Sequence, residues 1–254
     1  MAEGGLAHSP RIEGSPTLPA MTRRLFIVGT DTGVGKTTVA AALLRRARAS
    51  GLRPLPFKPA SSGGDDPQRL LAAAGLDEAM LPQIAPLRYE EPLAPGIAED
   101  PRPFVGDLEP GDALAHRGQA MLTRIGAELR ALEAELRPDL TVIEGAGGWH
   151  VPMPGATWLP QWVETFDAPL LLVGRLGLGT INHTLLTLDT LERAGRRPLG
   201  FVLSATSSEE DPSTAANPAI IAHASGLPCL GILAHGASAI DLRAGAWDLL
   251  LQTG

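Results

Sequence analysis

The sequence predicts an α/β fold with a doubly wound, mostly parallel sheet that carries helices on both faces. Short apolar runs typical of buried strands alternate with longer stretches of helical periodicity. Polar residues gather where several of these strands end, as expected when the carboxyl ends of parallel strands form a ligand-binding edge. The first strand also leads into a glycine-rich loop and a helix, which is the most specific of the three observations.

The first strand–loop–helix unit predicts a phosphate-binding site and a fold like that of P-loop NTPases. Leu25–Val28 is a short apolar run, residues 29–37 read GTDTGVGKT, and helical periodicity follows from Thr38 to Ser50. In such a loop the backbone N–H groups converge on an anion, and the helix adds its positive N-terminal end. Lys36 would reach the β- and γ-phosphates, and Thr37 would bind Mg²⁺. The first glycine, Gly29, stands one residue earlier than in the usual motif.

The remaining elements are predicted from apolar periodicity and from the glycines and prolines at their ends. Predicted strands cover Leu55–Lys58, Leu140–Ile143, Pro169–Val173, Leu199–Leu203 and Leu230–Leu233. Predicted helices cover 66–74, Gly118–Leu136, Thr157–Phe166, Thr180–Ala194, Pro218–Ala224 and Ala239–Leu251. Ser61–Gly64 is expected to be a loop. Repeated prolines between residues 81 and 110 favour an irregular, substrate-binding excursion over regular structure.

Composition limits the classes of function. A net charge of −7 gives no support for nucleic acid or an anionic membrane as a partner, and no apolar run is long enough to cross a bilayer. The single cysteine, Cys229, excludes an intrachain disulfide and fits a cytoplasmic location. We expect residues 1–20, rich in Gly, Pro and Ser, to form a flexible extension, and residues 21–254 to form a single domain.

Several residues outside the glycine loop carry candidate chemistry. Glu144 ends an apolar strand before a glycine run, a context that favours a role at the metal of a bound nucleotide. Lys58 ends the second strand and would project into the same crevice as Lys36. Asp65 and Asp66 fit a helix-capping role on chemistry alone. The segment LGTINH at 178–183 fits either a carboxylate site at a helix start or a cap with a structural histidine.

These motifs together resemble the dethiobiotin synthetase family. The resemblance runs from about Leu25 to His235. It rests on GTDTGVGKT at 29–37, KPASSG at 58–63, EPLAPGIA at 91–98, EGAGGWHVPM at 144–153 and GLGTINHTLLT at 177–187. The loop with one extra residue is the form that this family uses. The series in this order is highly specific, although each motif alone is weak.

The resemblance implies a role for each matched residue. Lys36 and Lys58 would be catalytic, and Thr37, Asp66 and Glu144 would bind Mg²⁺, with Asp66 preferred to Asp65. The implied ATP-binding residues are Thr32, Gly33, Val34, Gly35, Lys36, Thr37, Thr38, Glu144, Gly147 and Ser204. The implied substrate-binding residues are Thr32, Lys58, Ser62, Gly147, Gly179, Thr180 and Asn182. The last three would reach the neighbouring subunit's substrate, which implies a homodimer.

The implied reaction is an ATP- and Mg²⁺-dependent ring closure that uses CO₂ and 7,8-diaminopelargonate. Two positions depart from the family pattern. Ser204 stands where an asparagine that reads adenine is common, so the base preference is left open, and Gly96 stands where a histidine often follows the proline. The alternative is a switch ATPase of the partitioning or Min type that acts through a protein partner. Its loop carries a lysine where this chain has Asp31.

Overall fold

The computed structural model describes residues 22–108, 111–209 and 211–251. Its strands are β1 (Arg23–Gly29), β2 (Pro54–Phe57), β3 (Ala60–Ser62), β4 (Leu87–Tyr89), β5 (Leu140–Glu144), β6 (Pro152–Met153), β7 (Thr157–Trp158), β8 (Leu170–Arg175), β9 (Gly200–Ser204), β10 (Cys229–Leu233) and β11 (Asp241–Leu242). Its helices are α1 (Lys36–Ala49), α2 (Asp66–Ala74), α3 (Leu81–Ile84), α4 (Pro95–Glu99), α5 (Arg102–Val105), α6 (Asp112–Leu136), α7 (Leu159–Phe166), α8 (Thr180–Arg193), α9 (Asn217–Ser225) and α10 (Ala246–Leu251).

The main sheet has the order β11-β10-β9-β8-β1-β5-β2. Every neighbouring pair is parallel except β10 with β11. Because β1 lies in the middle, the glycine loop that follows it emerges at the centre of the carboxyl edge of the sheet. The ends of β2, β5, β9 and β10 lie along the same edge. The predicted mostly parallel α/β sheet is therefore confirmed.

Helices cover both faces of this sheet, and the alternation of side chains in β1 shows it. Leu25 and Ile27 are buried among residues of α1, α2 and α10, including Val39 and Leu70. Phe26 and Val28 point the other way, into a core that includes Trp162 of α7 and residues of α6, α8 and α9. Period-two alternation in a strand buried on both sides produces this division. The doubly wound arrangement is thus confirmed as well.

The segment between residues 81 and 110 was predicted to be irregular, and this prediction is wrong. The segment contains three short helices and β4. Pro82, Pro95 and Pro103 lie in the first turn of α3, α4 and α5, where a missing N–H costs nothing. The predicted loop at Ser61–Gly64 is also wrong in part, since β3 pairs in parallel with β4. Prolines that look like breakers in the sequence are here helix starts.

Two predicted helices are shorter than expected. The helix predicted over Thr157–Phe166 begins only at Leu159, because the two residues before it pair with β6. The closing helix predicted over Ala239–Leu251 begins only at Ala246. Residues 241–242 instead form the antiparallel edge strand β11 beside Gly231, where a Cβ would lie 2.7 Å from the Asp241 carbonyl oxygen. A glycine thus permits the close approach of this last strand.

Some predictions concern residues outside the described ranges or a property that the fold does not decide. The expected extension at 1–20 and the excursion's end at residues 109–110 lie outside the described residues. The single-domain organisation of residues 21–254 stays a prediction. Within the described part of the chain, no helix combines the length and apolar character needed to cross a membrane.

Candidate nucleotide-binding site

A cavity of about 790 Å³ opens at the carboxyl edge of the main sheet. It extends from the ends of β2 and β5, past the loop after β1, to the ends of β9 and β10. The residues predicted from the sequence that line it are Thr32, Gly33, Gly35, Lys36, Thr37, Thr38, Lys58, Ser62, Asp66, Glu144, Gly147 and Ser204. Most of the predicted site residues therefore meet in one crevice, as parallel-sheet topology predicts.

The glycine loop holds Lys36 against the backbone at the start of α1. Its Nζ donates to the carbonyl oxygens of Asp31 at 2.8 Å and Gly147 at 2.6 Å. A Cβ at residue 29 would lie 2.8 Å from Nζ and 2.9 Å from Cδ of this lysine. Any side chain at residue 29 would therefore collide with Lys36. This explains why the first glycine of the loop lies at residue 29, one residue earlier than in the usual motif. Gly33 and Gly35 have φ of 72° and 96°, in the left-handed region that glycine enters at little cost.

Within the described ranges, no carboxylate forms a hydrogen bond or ion pair with the Lys36 ammonium, whose partners are two carbonyl oxygens. Its side chain is buried, and burial lowers its pKa to about 8 despite the nearby charge of Glu144. The two carbonyl oxygens that it contacts are neutral. A polyanion bound in the loop would supply the missing negative charge and raise the pKa again.

The second lysine, Lys58, lies in an acidic cluster that lines the same cavity. Lys58 Nζ donates to Glu144 Oε1 at 2.5 Å and lies 3.3 Å from Asp66 Oδ2. The hydroxyl of Thr37 donates to the same Glu144 oxygen at 2.7 Å. Burial lowers the pKa of Lys58, but Glu144 and Asp66 outweigh it, so the pKa lies above its ordinary value. This lysine is held charged and oriented, in contrast to Lys36.

Two buried polar atoms in this region have no hydrogen-bond partner among the described residues. They are Glu144 Oε2 and Ser62 Oγ. Buried polar atoms are normally paired, so an unpaired carboxylate oxygen and hydroxyl that line a cavity indicate groups kept for a ligand. Mg²⁺ prefers oxygen ligands, and the carboxylate oxygens of Glu144 and Asp66 and the hydroxyl oxygen of Thr37 are ligands of this kind. The donor set therefore fits the metal of a bound nucleotide.

The geometry separates the two neighbouring aspartates. Asp65 is the N-cap residue of α2, but its side chain makes no capping hydrogen bond, and it does not line the cavity. Asp66 lines the cavity and reaches Lys58. Side-chain capping, which the chemistry of the segment allowed, is thus wrong for Asp65, and the orientation favours Asp66 as the metal ligand.

The far end of the cavity was only partly predicted. Ser204 ends β9, and a Cβ on Gly35 would lie 2.4 Å from its Oγ, so the two residues are in close contact. Beyond it the wall consists of Ala205, Thr206 and residues 234–238, which the sequence analysis did not assign. Their signal was position alone, because they follow the carboxyl ends of β9 and β10. Apart from His235 their side chains are small, and they match no motif.

The remaining predicted substrate-binding residues lie elsewhere. Gly179, Thr180 and Asn182 form the start of α8 and do not line this cavity. Gly179 and Asn182 are exposed, whereas the Thr180 side chain is buried against Thr184. Asn182 lies inside the helix and does not cap it, so the capping alternative is wrong.

The central glycine loop, the helix that starts at its lysine and the acidic residue at the end of β5 define the chain as a P-loop nucleotide-binding protein. The AAA-domain family matches residues 23–238. Among solved structures, chloroplast FtsY from Physcomitrella patens is similar with a TM-score of 0.53 and 15% identity, over 92% of this chain and 65% of that one. FtsY from Elizabethkingia anophelis with GDP gives 0.56 and 13%, over 94% and 66%. This chain thus spans about two thirds of either protein, and these likenesses show the fold alone.

Curated relatives define the family more narrowly. The ATP-dependent dethiobiotin synthetase BioD of Anaeromyxobacter sp. (strain K) is 42% identical over 79% of this chain and 84% of the relative. The BioD of Akkermansia muciniphila is 30% identical over 91% and 98%. BioD 1 of Salmonella typhi is 37% identical over 72% and 76%. The chain belongs to the ATP-dependent dethiobiotin synthetase family.

Proposed function

We propose that this chain is a dethiobiotin synthetase, a cyclo-ligase that uses ATP to close a ureido ring from 7,8-diaminopelargonate and CO₂. The observation that carries the proposal is that two buried lysines line one cavity, Lys36 held by carbonyl oxygens of Asp31 and Gly147 and Lys58 held by Glu144 and Asp66. Such a pair suits a reaction that joins a phosphoryl group to a carboxylate-like acceptor. The family relationship supports the same activity.

The reaction divides into three balanced steps. One amine of the diamine adds to CO₂ and loses a proton, which gives a carbamate. A carbamate oxygen attacks the γ-phosphorus of ATP, and ADP leaves, which gives a carbamic–phosphoric anhydride. The second amine then attacks the carbonyl carbon and expels phosphate, with loss of a proton, so that the ring closes. Charge compensation and positioning supply most of the catalysis in such phosphoryl transfers.

We assign the nucleotide to the loop side of the cavity. Lys36 would bind the β- and γ-phosphates, and Thr32 through Thr38, Gly147 and Ser204 would complete the ATP site. Thr37, Asp66 and Glu144 would hold Mg²⁺, which would neutralise phosphate charge during transfer. The unpaired Glu144 Oε2 supports this assignment.

We assign the carbamate to the Lys58 side. Lys58 would bind its negative charge, with the Ser62 hydroxyl, Thr32 and Gly147 around it. The support is the unpaired Ser62 Oγ in the cavity wall and the position of the Lys58 ammonium, which Glu144 and Asp66 hold in the same cavity. A cytoplasmic enzyme would find ATP and the diamine in the same compartment.

The direct test combines purified protein, ATP, Mg²⁺, bicarbonate and 7,8-diaminopelargonate, with dethiobiotin detected by mass spectrometry. Product that requires all four components supports the proposal. ATP hydrolysis that persists without the diamine, and no product, would instead favour the switch-ATPase alternative. Exchange of ATP for CTP or GTP shows how far the wall around Ser204 discriminates between bases.

The lowered pKa of Lys36 gives a prediction for nucleotide binding. Near pH 8 a fraction of Lys36 is deprotonated in the free protein, and bound phosphates raise its pKa. ATP binding should therefore take up protons at this pH, and affinity should fall as the pH rises further. Calorimetry in buffers of different ionisation enthalpy measures the uptake. Lys36→Gln should remove it, and uptake that is unchanged in this variant would assign the proton to another group.

We further propose that the active form is a homodimer in which Gly179, Thr180 and Asn182 bind the diamine's carboxylate in the partner's site. Two of the most exposed apolar side chains of the described residues flank this segment: Leu178 is 76% exposed and Leu186 is 59% exposed. Asn182 and Leu186 share one helix face, since they lie four residues apart. An isologous interface would bury each of these side chains twice.

The dimer proposal predicts that Leu178→Ser with Leu186→Ser yields a monomer with a much higher KM for the diamine. Each leucine contributes about 2 kcal/mol when buried, and the symmetry doubles the loss. Light scattering coupled to gel filtration distinguishes the 26.5 kDa chain from twice that mass. Val105→Ser, at an exposed position on α5, is the control and should leave the dimer intact. A wild-type protein that turns over as a monomer would contradict the proposal.

A further inference from the structure

Two arginines outside the predicted site residues line the cavity together with Lys36 and Lys58. Arg45 lies on α1, and its Nε donates to the carbonyl oxygen of Ser238 at the far end of the cavity. Arg69 lies on α2, one turn after Asp66, close to the glycine loop. Of the two, only Arg69 contacts residues assigned above to the ATP site.

The contacts of Arg69 fix where its guanidinium lies. Its Nη2 donates to the hydroxyl of Thr38 at 3.2 Å, and its Nη1 lies 3.7 Å from Asp66 Oδ1. Thr38 is in the first turn of α1, directly after Lys36 and Thr37. The first-turn groups of a helix that follows a glycine loop face the bound phosphates. The guanidinium therefore lies next to the phosphate-binding loop, to which it is joined by its hydrogen bond to Thr38.

The guanidinium has donors left for a ligand. An arginine offers five N–H donors in a planar fork, and the described residues engage only two of its nitrogens, one of them at 3.7 Å. The side chain is 44% exposed, so the fork is accessible from the cavity. A planar fork with free donors suits phosphate oxygens better than a lysine ammonium does.

We propose that Arg69 is a nucleotide-binding residue that contacts a phosphate group of bound ATP. Thr38 and Asp66 hold the guanidinium beside the loop, and the free N–H groups donate to phosphate oxygens that Lys36 does not reach. The inference rests on the proposed function in one respect only, which is that the cavity binds a nucleoside triphosphate. It does not depend on which acceptor receives the phosphoryl group.

The test measures the dissociation constants of ATP and of inorganic tripolyphosphate by calorimetry, without divalent metal. Arg69→Gln should weaken both ligands about tenfold, as expected for the loss of one charge-assisted hydrogen bond. Arg46→Gln is the matched control, because Arg46 stacks over Trp247 and does not line the cavity. It should leave both dissociation constants unchanged.

A double-mutant cycle separates direct contact from an effect through Asp66. Arg69→Gln should cost the same factor in an Asp66→Asn background if the guanidinium touches phosphate. A loss that vanishes in that background overturns the proposal, because Arg69 then only neutralises Asp66. A loss for ATP but not for tripolyphosphate also overturns it, since the contact is then to the nucleoside. A wild-type protein that binds ATP neither in this buffer nor after addition of Mg²⁺ would refute the proposed function itself, whereas unchanged binding in Arg69→Gln refutes only this inference.

Discussion

Lys36→Gln is expected to reduce turnover by at least about a thousandfold, since it removes the cation nearest to the phosphates during transfer. Glutamine is one atom shorter than lysine but keeps N–H donors, so the loss reports mainly on the charge. ATP affinity should fall as well, because the lysine is charge-compensated only when phosphate is bound. Steady-state kinetics with the diamine and calorimetry with ATP measure the two effects separately.

This variant should not lose stability. Burial lowers the pKa of Lys36 to about 8, so the folded protein holds the charged form at a cost. In Lys36→Gln that cost is absent, and the midpoint of thermal unfolding should be equal to or above that of the wild type. The wild type should itself gain stability as pH rises from about 8 toward 10.5, since the unfolded chain binds the extra proton there.

A Lys36→Gln protein with near-normal kcat would contradict the prediction for turnover. The glycine loop would then have no part in the mechanism.

The motif residues were the part of the site that sequence could predict, because short-range geometry determines them. A loop between a buried strand and a helix must present its N–H groups at the helix start, whatever surrounds it. The structure adds the reason for Gly29, whose missing side chain makes room for Lys36. Gly96 has a similar explanation, since a Cβ there would lie 2.6 Å from the carbonyl oxygen of Met153. The first contact lies within the loop and the second joins residues far apart in the sequence, and neither can be read from the residue pattern.

The irregular segments were harder to predict for the same reason. Prolines at 82, 95 and 103 break a helical pattern when they lie inside it and start a helix when they lie in its first turn. The sequence alone does not say which side of the proline packs against the core. Likewise, residues 241–242 became an edge strand only because β10 was there to pair with them.

The wall around residues 234–238 shows what motif reasoning misses. It lines the cavity with four small residues and His235, and its only sequence signal is that it follows a predicted strand. The sequence also provides no reason to assign Arg69 to the site. It lies three residues after Asp66 on the same helix, and an arginine at this spacing is expected simply to pair with the aspartate. Only the position of Thr38 beside it points toward the nucleotide.

Glu144→Gln is expected to abolish turnover and also to destabilise the fold. Glu144 is 1% exposed, and its Oε1 accepts from both Thr37 and Lys58. The amide keeps one acceptor but removes the charge that keeps Lys58 protonated in a buried site. Loss of one partner from a buried ion pair costs about 3 kcal/mol, so the midpoint of unfolding should fall clearly. Metal binding in the ATP complex, followed with Mn²⁺ by electron paramagnetic resonance, should weaken at the same time.

A double variant separates the structural part of this loss from the chemical part. In Lys58→Met with Glu144→Gln the buried ammonium is absent, so no buried charge is left without its partner, and much of the lost stability should return. Turnover should stay absent, because both the charge that holds the metal and the charge that holds the carbamate are missing. If turnover returned together with stability, Glu144 and Lys58 would serve the fold rather than the reaction. If Glu144→Gln alone kept wild-type Mn²⁺ affinity, the metal would have to be held by Asp66 and Thr37, and the unpaired Oε2 would need another ligand.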